Sequence, residues 1–377
     1  MKKILIINSS QEKFQIALDL FEAMDEKKYS FILLSPQIER IKEFQDKKWL
    51  SLKTYLGPNS EKKKGFLLFL LLFPILLLVH FGYLLYIKKK YKISTVICLN
   101  WNEKFIYGFL SRLIKINLVW LERTDLDYRE HSKFFIKMYR TNSKQARIII
   151  FNTLVKTRLL SLGFDKEKIN LILPGIKAKT SKRQENIFSS IAKESTANFH
   201  RKYFTIGLVT DFSHINQIEN LFKAVKICLD VISNIQIIIV GEGAEKKQVG
   251  CAAKKMNIES LTWLVGRQDH LKKWFSGFDV YFVPSMKAHP LDIKLALKAM
   301  AEGLPTICFQ DSGFEDIIEE GKTGNFVELG GIEFLAGNII RLYQEKRYRK
   351  ELGQNAMKMV EKKFDINRQA AKLEEYL

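Results

Sequence analysis

The residues of this chain that could do chemistry stand in short polar loops between apolar runs. Four such loops lie in the second half: VGEG at 240–243, GRQDH at 266–270, PSMKAHP at 284–290 and GFEDIIEEGKTG at 313–324. Glycines such as Gly241, Gly243 and Gly266 let a backbone approach a phosphate or a base closely, and Arg267 could neighbour either. A tight strand-to-helix turn explains VGEG equally well. Pro284 and Ser285 open a loop carrying His289. A helix expected over about 293–301 follows it, bearing Lys294 and Lys298 on its first turns. Free N–H groups at such a helix start hold anions, and the two lysines would add charge there; they read equally as solvated helix residues. Glu315, at an expected helix start, either meets a ligand or caps the helix. In the first half, WLERTDLDYREH at 120–131 places Glu122 and Arg123 just after an apolar run, where they could position a hydroxyl or form a salt bridge.

Other chemistries leave no signature. The six histidines are scattered without an H-E-x-x-H pair, so no metal site is expected. There is no G-x-S-x-G elbow, no Walker loop, and no helix-turn-helix or RNA-module pattern. The formal charge of +20 therefore asks for anionic partners, such as phosphate-bearing substrates or an acidic membrane surface, without pointing to nucleic acid. The four cysteines lack paired spacing and read as buried free thiols of a cytosolic protein. No cofactor is expected.

The elements that must position these loops alternate strand with helix. Apolar runs at 4–7, 31–34, 95–99, 118–121, 147–151 and 171–173 read as strands of one parallel sheet, and a first domain is expected over 1–176. Residues 177–203 are rich in Lys, Ser, Asn and Gln and read as a linker. Alternation resumes at 206–209, 235–240, 261–265, 280–283, 306–309 and 326–327, giving a second domain over 204–360, and 361–377 closes the chain as a helix. The expected class is α/β with two Rossmann-like domains.

One segment breaks the pattern. Residues 65–88, beginning GFLLFLLLFPILLLVHFGYLLYI, are long and apolar enough to span a bilayer, with lysines at 62–64 and 88–90 on both flanks. A single crossing would put strands of one sheet on opposite sides of the membrane. Positive charge at both ends points instead to a monotopic element on the cytoplasmic face, either a helix in the interface or a hairpin bent at Pro74. An apolar core helix is the soluble alternative.

Order and spacing join the loops of the second half. VGEG, GRQDHLKKWFSGFDVYFVPS, KAMAEGLP and the G-x-x-x-I-I-E-x-G-x-T-G turn, over about 204–365, resemble the C-terminal domain of family-4 glycosyltransferases, which have the GT-B fold. The segments NEKFIYGFLSRLIKINLVWLERTDLD and LVKTRLLSLGFDKEKINLILPGI extend the resemblance over the first domain. The resemblance implies two domains facing a cleft, a nucleotide-sugar donor, and an acceptor bound by the first domain. It implies transfer with retention and without a metal; the apolar segment and its basic flanks would set this at the cytoplasmic face of a bacterial-type membrane, with a lipid-linked or surface-polysaccharide glycan acceptor. Donor contacts would fall to Gly241, Gly243, Gly266, Arg267, Ser285, Lys294, Lys298, Glu302 and Glu315, with Glu122, Arg123 and His289 as candidate catalytic residues, and Asn100, Trp101 and Asn102 as candidate sugar contacts.

The sequence departs from the family at the donor diphosphate. Asp211 and Asn216 stand where family members place an Arg and a Lys, and Lys298 stands where a ribose-binding Glu is usual. The other family Glu falls at about 287–290, which holds His289 and no carboxylate, in a loop about two residues longer than usual. The first-domain glycine loop is replaced by NSSQEKF. An inactive homologue serving as a membrane-bound binding or partner subunit is therefore the alternative to an active transferase.

Overall fold

The computed structural model describes residues 1–9, 14–58, 63–122, 133–177 and 203–377. These divide into two compact units, Met1–Pro174 with Ile366–Leu377, and Gly175–Asp365. The expected linker falls almost wholly outside the described residues.

The first unit is built on a seven-stranded parallel sheet. Its strands are β1 (Lys2–Ile7), β2 (Tyr29–Ser35), β3 (Leu50–Lys53), β4 (Ile93–Cys98), β5 (Asn117–Leu121), β6 (Ala146–Ile150) and β7 (Ile169–Leu171), in the order β3-β2-β1-β4-β5-β6-β7. Runs such as ILII and TVIC are buried on both faces because helices cover both sides of the sheet. β3 is the one strand of this sheet that does not show as an apolar run in the sequence. It is a half-exposed edge of four residues, too short and too polar to do so. The chain moves outward from β1 to β3 and then returns to β4. The loops after β1 and β4 therefore diverge, leaving a crevice at this switch in direction.

The return is made by the continuous helix Lys63–Tyr91, which runs through Pro74 without becoming a hairpin. It is apolar all round, and Phe69, Leu76, His80, Leu84 and Ile87 are buried along one side of it. Both ends lead into the same sheet, so the helix does not leave the unit. His80 fixes it from within: Nε2 lies 2.9 Å from the Tyr55 carbonyl and Nδ1 lies 3.0 Å from the Tyr107 hydroxyl. Only the imidazole can donate to the carbonyl, so Nε2 carries the hydrogen and Nδ1 accepts from Tyr107. Burial pushes this imidazole below its ordinary range and favours the neutral form, while the Tyr55 carbonyl pulls less strongly the other way.

The last helix, Ile366–Glu374, belongs to the first unit rather than forming a segment of its own. Thr95 Oγ1 donates to the Leu377 carbonyl at 3.0 Å, and Asn117 Nδ2 donates to the Tyr376 carbonyl at 3.1 Å.

The second unit repeats the design in a six-stranded parallel sheet. Its strands are β8 (Phe204–Val209), β9 (Ile235–Val240), β10 (Thr262–Val265), β11 (Val280–Phe282), β12 (Thr306–Phe309) and β13 (Gly324–Val327), in the order β10-β9-β8-β11-β12-β13. The direction switches between β8 and β11. Cys98, Cys228 and Cys308 are buried free thiols as expected, whereas Cys251 is exposed, on the helix Lys246–Lys255.

Candidate functional site

The loops after β8 and β11 meet at the second unit's switch point. The turn after β8 places Phe212, an aromatic residue, at φ 65° with its side chain wholly buried. Left-handed backbone at such a residue costs on the order of 1–3 kcal/mol and persists only where its surroundings hold it. Phe212 N donates to Thr210 Oγ1 at 3.0 Å, and the ring packs into the core. Asp211 Oδ1 accepts from Ser213 N at 3.0 Å and from Ser213 Oγ at 2.6 Å. Burial works against ionisation of Asp211, but the Ser213 bonds and nearby His214 outweigh it and hold the carboxyl below its ordinary range. The turn after β8 therefore presents an anion.

After β11, Ser285 is buried and its Oγ donates to Asp292 Oδ2 at 2.6 Å. Asp292 lies in the first turn of the helix Pro290–Ala301, which begins about three residues earlier than the sequence spacing suggests. His289 is its N-cap and Pro290 opens it, with Nδ1 of His289 accepting from Leu291 N at 3.4 Å. Residues 287–290 hold no carboxylate, as expected; Asp292, two residues beyond them and inside the helix, is the acid that meets Ser285. Burial raises the Asp292 carboxyl above its ordinary range; the Ser285 bond, His289 and His214 pull it down, and Asp211 adds to the rise. The signal was present in the sequence as His-Pro followed by Asp, a helix start with an acid in its first turn.

The structure assigns the two glycines of VGEG to loop packing. Gly241 has φ 147°, and a Cβ there would come 1.8 Å from the Thr210 carbonyl oxygen. A Cβ on Gly243 would come 1.7 Å from the Asp211 carbonyl oxygen. Main chain crosses main chain, so the loop after β9 presses directly on the turn that carries Asp211. Gly266 follows β10, where an added Cβ would come 3.0 Å from Glu242 Oε1, and Arg267 beside it is exposed.

Other candidates lie away from the Ser285–Asp292 pair. Lys298 is in the last turn of its helix rather than the first, about 12 Å along the axis from the start at 1.5 Å per residue. It favours the helix C-terminus and cannot reinforce the N-terminal field. Lys294 is two residues beyond Asp292, about half a turn round the helix, and half-buried. Glu302 caps the same helix at its far end, with Lys272 at 3.8 Å; burial raises its carboxyl and Lys272 opposes the rise. Glu315 stands in a turn, with no helix behind it, and accepts from Gly313 N at 2.8 Å.

In the first unit, Glu122 extends β5 and is buried. Its Oε1 meets Lys104 Nζ at 2.8 Å and accepts from the Tyr139 hydroxyl, with side-chain exposures of 1% for Lys104 and 0% for Glu122. Lys104 also lies over the rings of Trp120 and Tyr139 at 5.9 and 5.8 Å. Arg123 lies outside the described residues. Trp101 is buried, and Asn102 Nδ2 donates to the Leu56 and Pro58 carbonyls at 2.8 and 2.7 Å, so both serve the packing of the unit. The residue overlooked here is Glu103, at the switch point between β1 and β4. Oε1 accepts from Asn100 N at 2.7 Å, and Oε2 accepts from Ser9 Oγ at 2.7 Å. Burial raises its carboxyl, partly offset by the bonds from Ser9 and Asn100.

Two doubly wound parallel sheets with ligand loops at their switch points define the class: the chain has the GT-B fold of glycosyltransferases. A crystal structure of Anabaena Alr3699/HepE in complex with UDP shares it over 100% of both chains, with a TM-score of 0.77 at 16% identity. Residues 191–359 match the family described as glycosyl transferases group 1. It is 26% identical over 157 residues to N-acetyl-alpha-D-glucosaminyl L-malate synthase of Bacillus anthracis, covering 41% of this chain and 40% of that protein. It is 24% identical over 226 residues to the amylovoran biosynthesis glycosyltransferase AmsK of Erwinia amylovora, covering 57% and 51%. The chain thus spans about half the length, or less, of the curated relatives it matches.

Proposed function

We propose that this chain is a glycosyltransferase. It moves a sugar from a nucleotide-sugar donor held by the second unit to a lipid-linked or polysaccharide acceptor at the cytoplasmic face of the cell membrane. The observation that carries the reading is the Ser285–Asp292 pair at the β8/β11 switch point, within the segment that matches the family. Ser285 fixes one carboxylate oxygen and so orients the other edge of Asp292 for a hydroxyl of the donor. His214 and His289, both near Asp292, could carry positive charge toward the leaving diphosphate, in place of the usual Arg and Lys. The helix start at Pro290 adds its own field. Retention at the anomeric carbon without a metal is part of this proposal and rests on the family resemblance.

A second reading is favoured by Asp211. A carboxylate held by Ser213 where the family places a cation suits a homologue that has lost transfer and serves as a membrane-bound binding subunit. The full chain, incubated with UDP- and GDP-sugars, separates the two. Nucleotide release together with binding of UDP or GDP supports the transferase; binding without turnover supports the subunit. If no nucleotide binds, the donor-site reading fails. UDP is the first to try, since the Alr3699/HepE structure holds it.

A further inference from the structure

We infer that three neighbouring helices of the first unit form a one-sided docking face for an anionic bilayer, with the helix Lys63–Tyr91 lying in the plane of the membrane surface. This deepens the membrane location proposed above but does not depend on sugar transfer.

The observation is an apolar helix whose two sides meet different surroundings. One side is packed into the unit through Phe69, Leu76, Leu84 and Ile87. The opposite side carries Leu67, Leu71, Ile75, Leu78, Phe81 and Leu85, all exposed and spaced three or four residues apart, with Leu71 and Leu78 each 75% exposed. A water-facing side would be expected to be polar; here both sides are apolar, so the outer one calls for a second apolar medium. The face extends across the neighbouring helices. Phe109 and Leu113 are exposed on Trp101–Ile114, which packs against Lys63–Tyr91, and Phe134 is exposed on Lys133–Ser143, which packs against Trp101–Ile114.

Charge decides the occupant. The helices Lys63–Tyr91 and Lys133–Ser143 contain no Asp or Glu, and the one acid of Trp101–Ile114, Glu103, is buried. The exposed charges on these helices include Lys64, Lys89, Lys90, Arg112, Lys133 and Lys137, all basic. A second copy of the chain seated on this face would set lysine against lysine, with no exposed carboxylate on these helices to pair them. Anionic lipid headgroups fit the same pattern, and apolar side chains ringed by lysines are what an interfacial helix presents to them. A crossing helix is ruled out by its packing: buried residues run from Phe69 to Ile87, and the helix passes within two residues into β4.

The test uses the full chain and extruded vesicles, with sedimentation as the readout. Binding is expected to phosphatidylcholine vesicles containing phosphatidylglycerol, weakening with salt and with removal of the anionic lipid. Leu71→Glu with Leu78→Glu is expected to lower the partition coefficient at least about tenfold, both positions being exposed in the fold. UDP binding by the same variant reports on the second unit, so loss of membrane binding and failure of the donor reading can be told apart. For orientation, Leu67→Cys, Leu78→Cys and Leu85→Cys are each made with Cys251→Ser, which removes the exposed native thiol, and labelled with a depth-sensitive fluorophore. Equal shallow depths support an in-plane helix. A label at 78 markedly deeper than those at 67 and 85 would mean a crossing and overturn the inference. So would equal vesicle binding by the Leu→Glu variant, or a lipid-free dimer that the same variant dissolves.

Discussion

At the first unit's switch point, Glu103 is wholly buried and both its carboxylate oxygens are taken by Ser9 and Asn100. At the second unit's switch point, Asp292 remains partly exposed, held by Ser285 through one oxygen, with His214 and His289 nearby. The two crevices arise from the same strand order, yet one is closed by its own side chains while the other keeps a carboxylate at its surface. A buried acid whose partners are all internal builds architecture, because leaving any of them unmet would cost about 1–3 kcal/mol. A partly exposed acid raised by burial and steadied on one side is arranged for a partner from outside. Topology therefore supplies two switch-point crevices, and local hydrogen bonding leaves a partly exposed acid only at the second among these two.

The comparison can be broken most forcefully at Glu122. If it is architectural, Glu122→Ala leaves Lys104 buried without its counter-charge and costs about 3–5 kcal/mol in urea unfolding. UDP affinity should then be unchanged under conditions where the variant is folded. Restoring an apolar pair with Lys104→Met and Glu122→Leu should recover most of the stability. A stable Glu122→Ala chain that has lost only turnover would instead make Glu122 part of the reaction.

Gly241→Ala tests whether VGEG serves packing. The added methyl meets the Thr210 carbonyl at 1.8 Å on a backbone of φ 147°, and a loss of about 1–3 kcal/mol or more is expected by thermal or urea unfolding. An unchanged melting temperature would return the glycine to a ligand-facing role.

Asp292→Asn sharpens the open site by separating stability from binding. The carboxyl of Asp292 is raised in the folded chain, so the wild type gives up stability as the pH rises through that folded value, having it in full below the unfolded value of about 3.9. Asparagine can still accept from Ser285 and removes the buried charge. Melting scans should therefore show the variant at least as stable as the wild type at pH 7, with the gap closing below about pH 3.9. A variant less stable at pH 7 than at pH 4, relative to wild type, would contradict this sign.

The smallest effect is expected at Lys298. In the last helical turn its charge is worth about 0.5 kcal/mol to the helix, and Lys298→Ala should leave UDP affinity within about twofold. A large loss of affinity would place the lysine on the donor.

Sequence alone carried the α/β alternation well, because strands buried on both faces read as apolar runs; β3, a half-exposed edge, lacked that signature. Function was less legible for three physical reasons. The apolar stripe beginning at Ile293 puts Lys298 near a helix start, whereas His289 and Pro290 begin the helix by capping rather than by hydrophobicity. Gly241 and Gly243 suggested phosphate contact, yet the close approach they permit is to Thr210 and Asp211, which only the fold brings alongside. Asp292 gives little signal in sequence because its partnership with Ser285 spans seven residues and depends on where the helix starts. The outer side of Lys63–Tyr91 was visible as composition, while its inner side needed the sheet beneath it.

Isothermal titration of UDP and a UDP-sugar into the full chain, compared with Asp292→Asn, tests the central claim most directly. Loss of a charge-assisted hydrogen bond worth about 1.5–3 kcal/mol should weaken the UDP-sugar by roughly 10- to 100-fold while leaving UDP itself nearly unchanged. Equal UDP-sugar affinity in the two proteins would show that Asp292 does not hold the donor and would contradict the account.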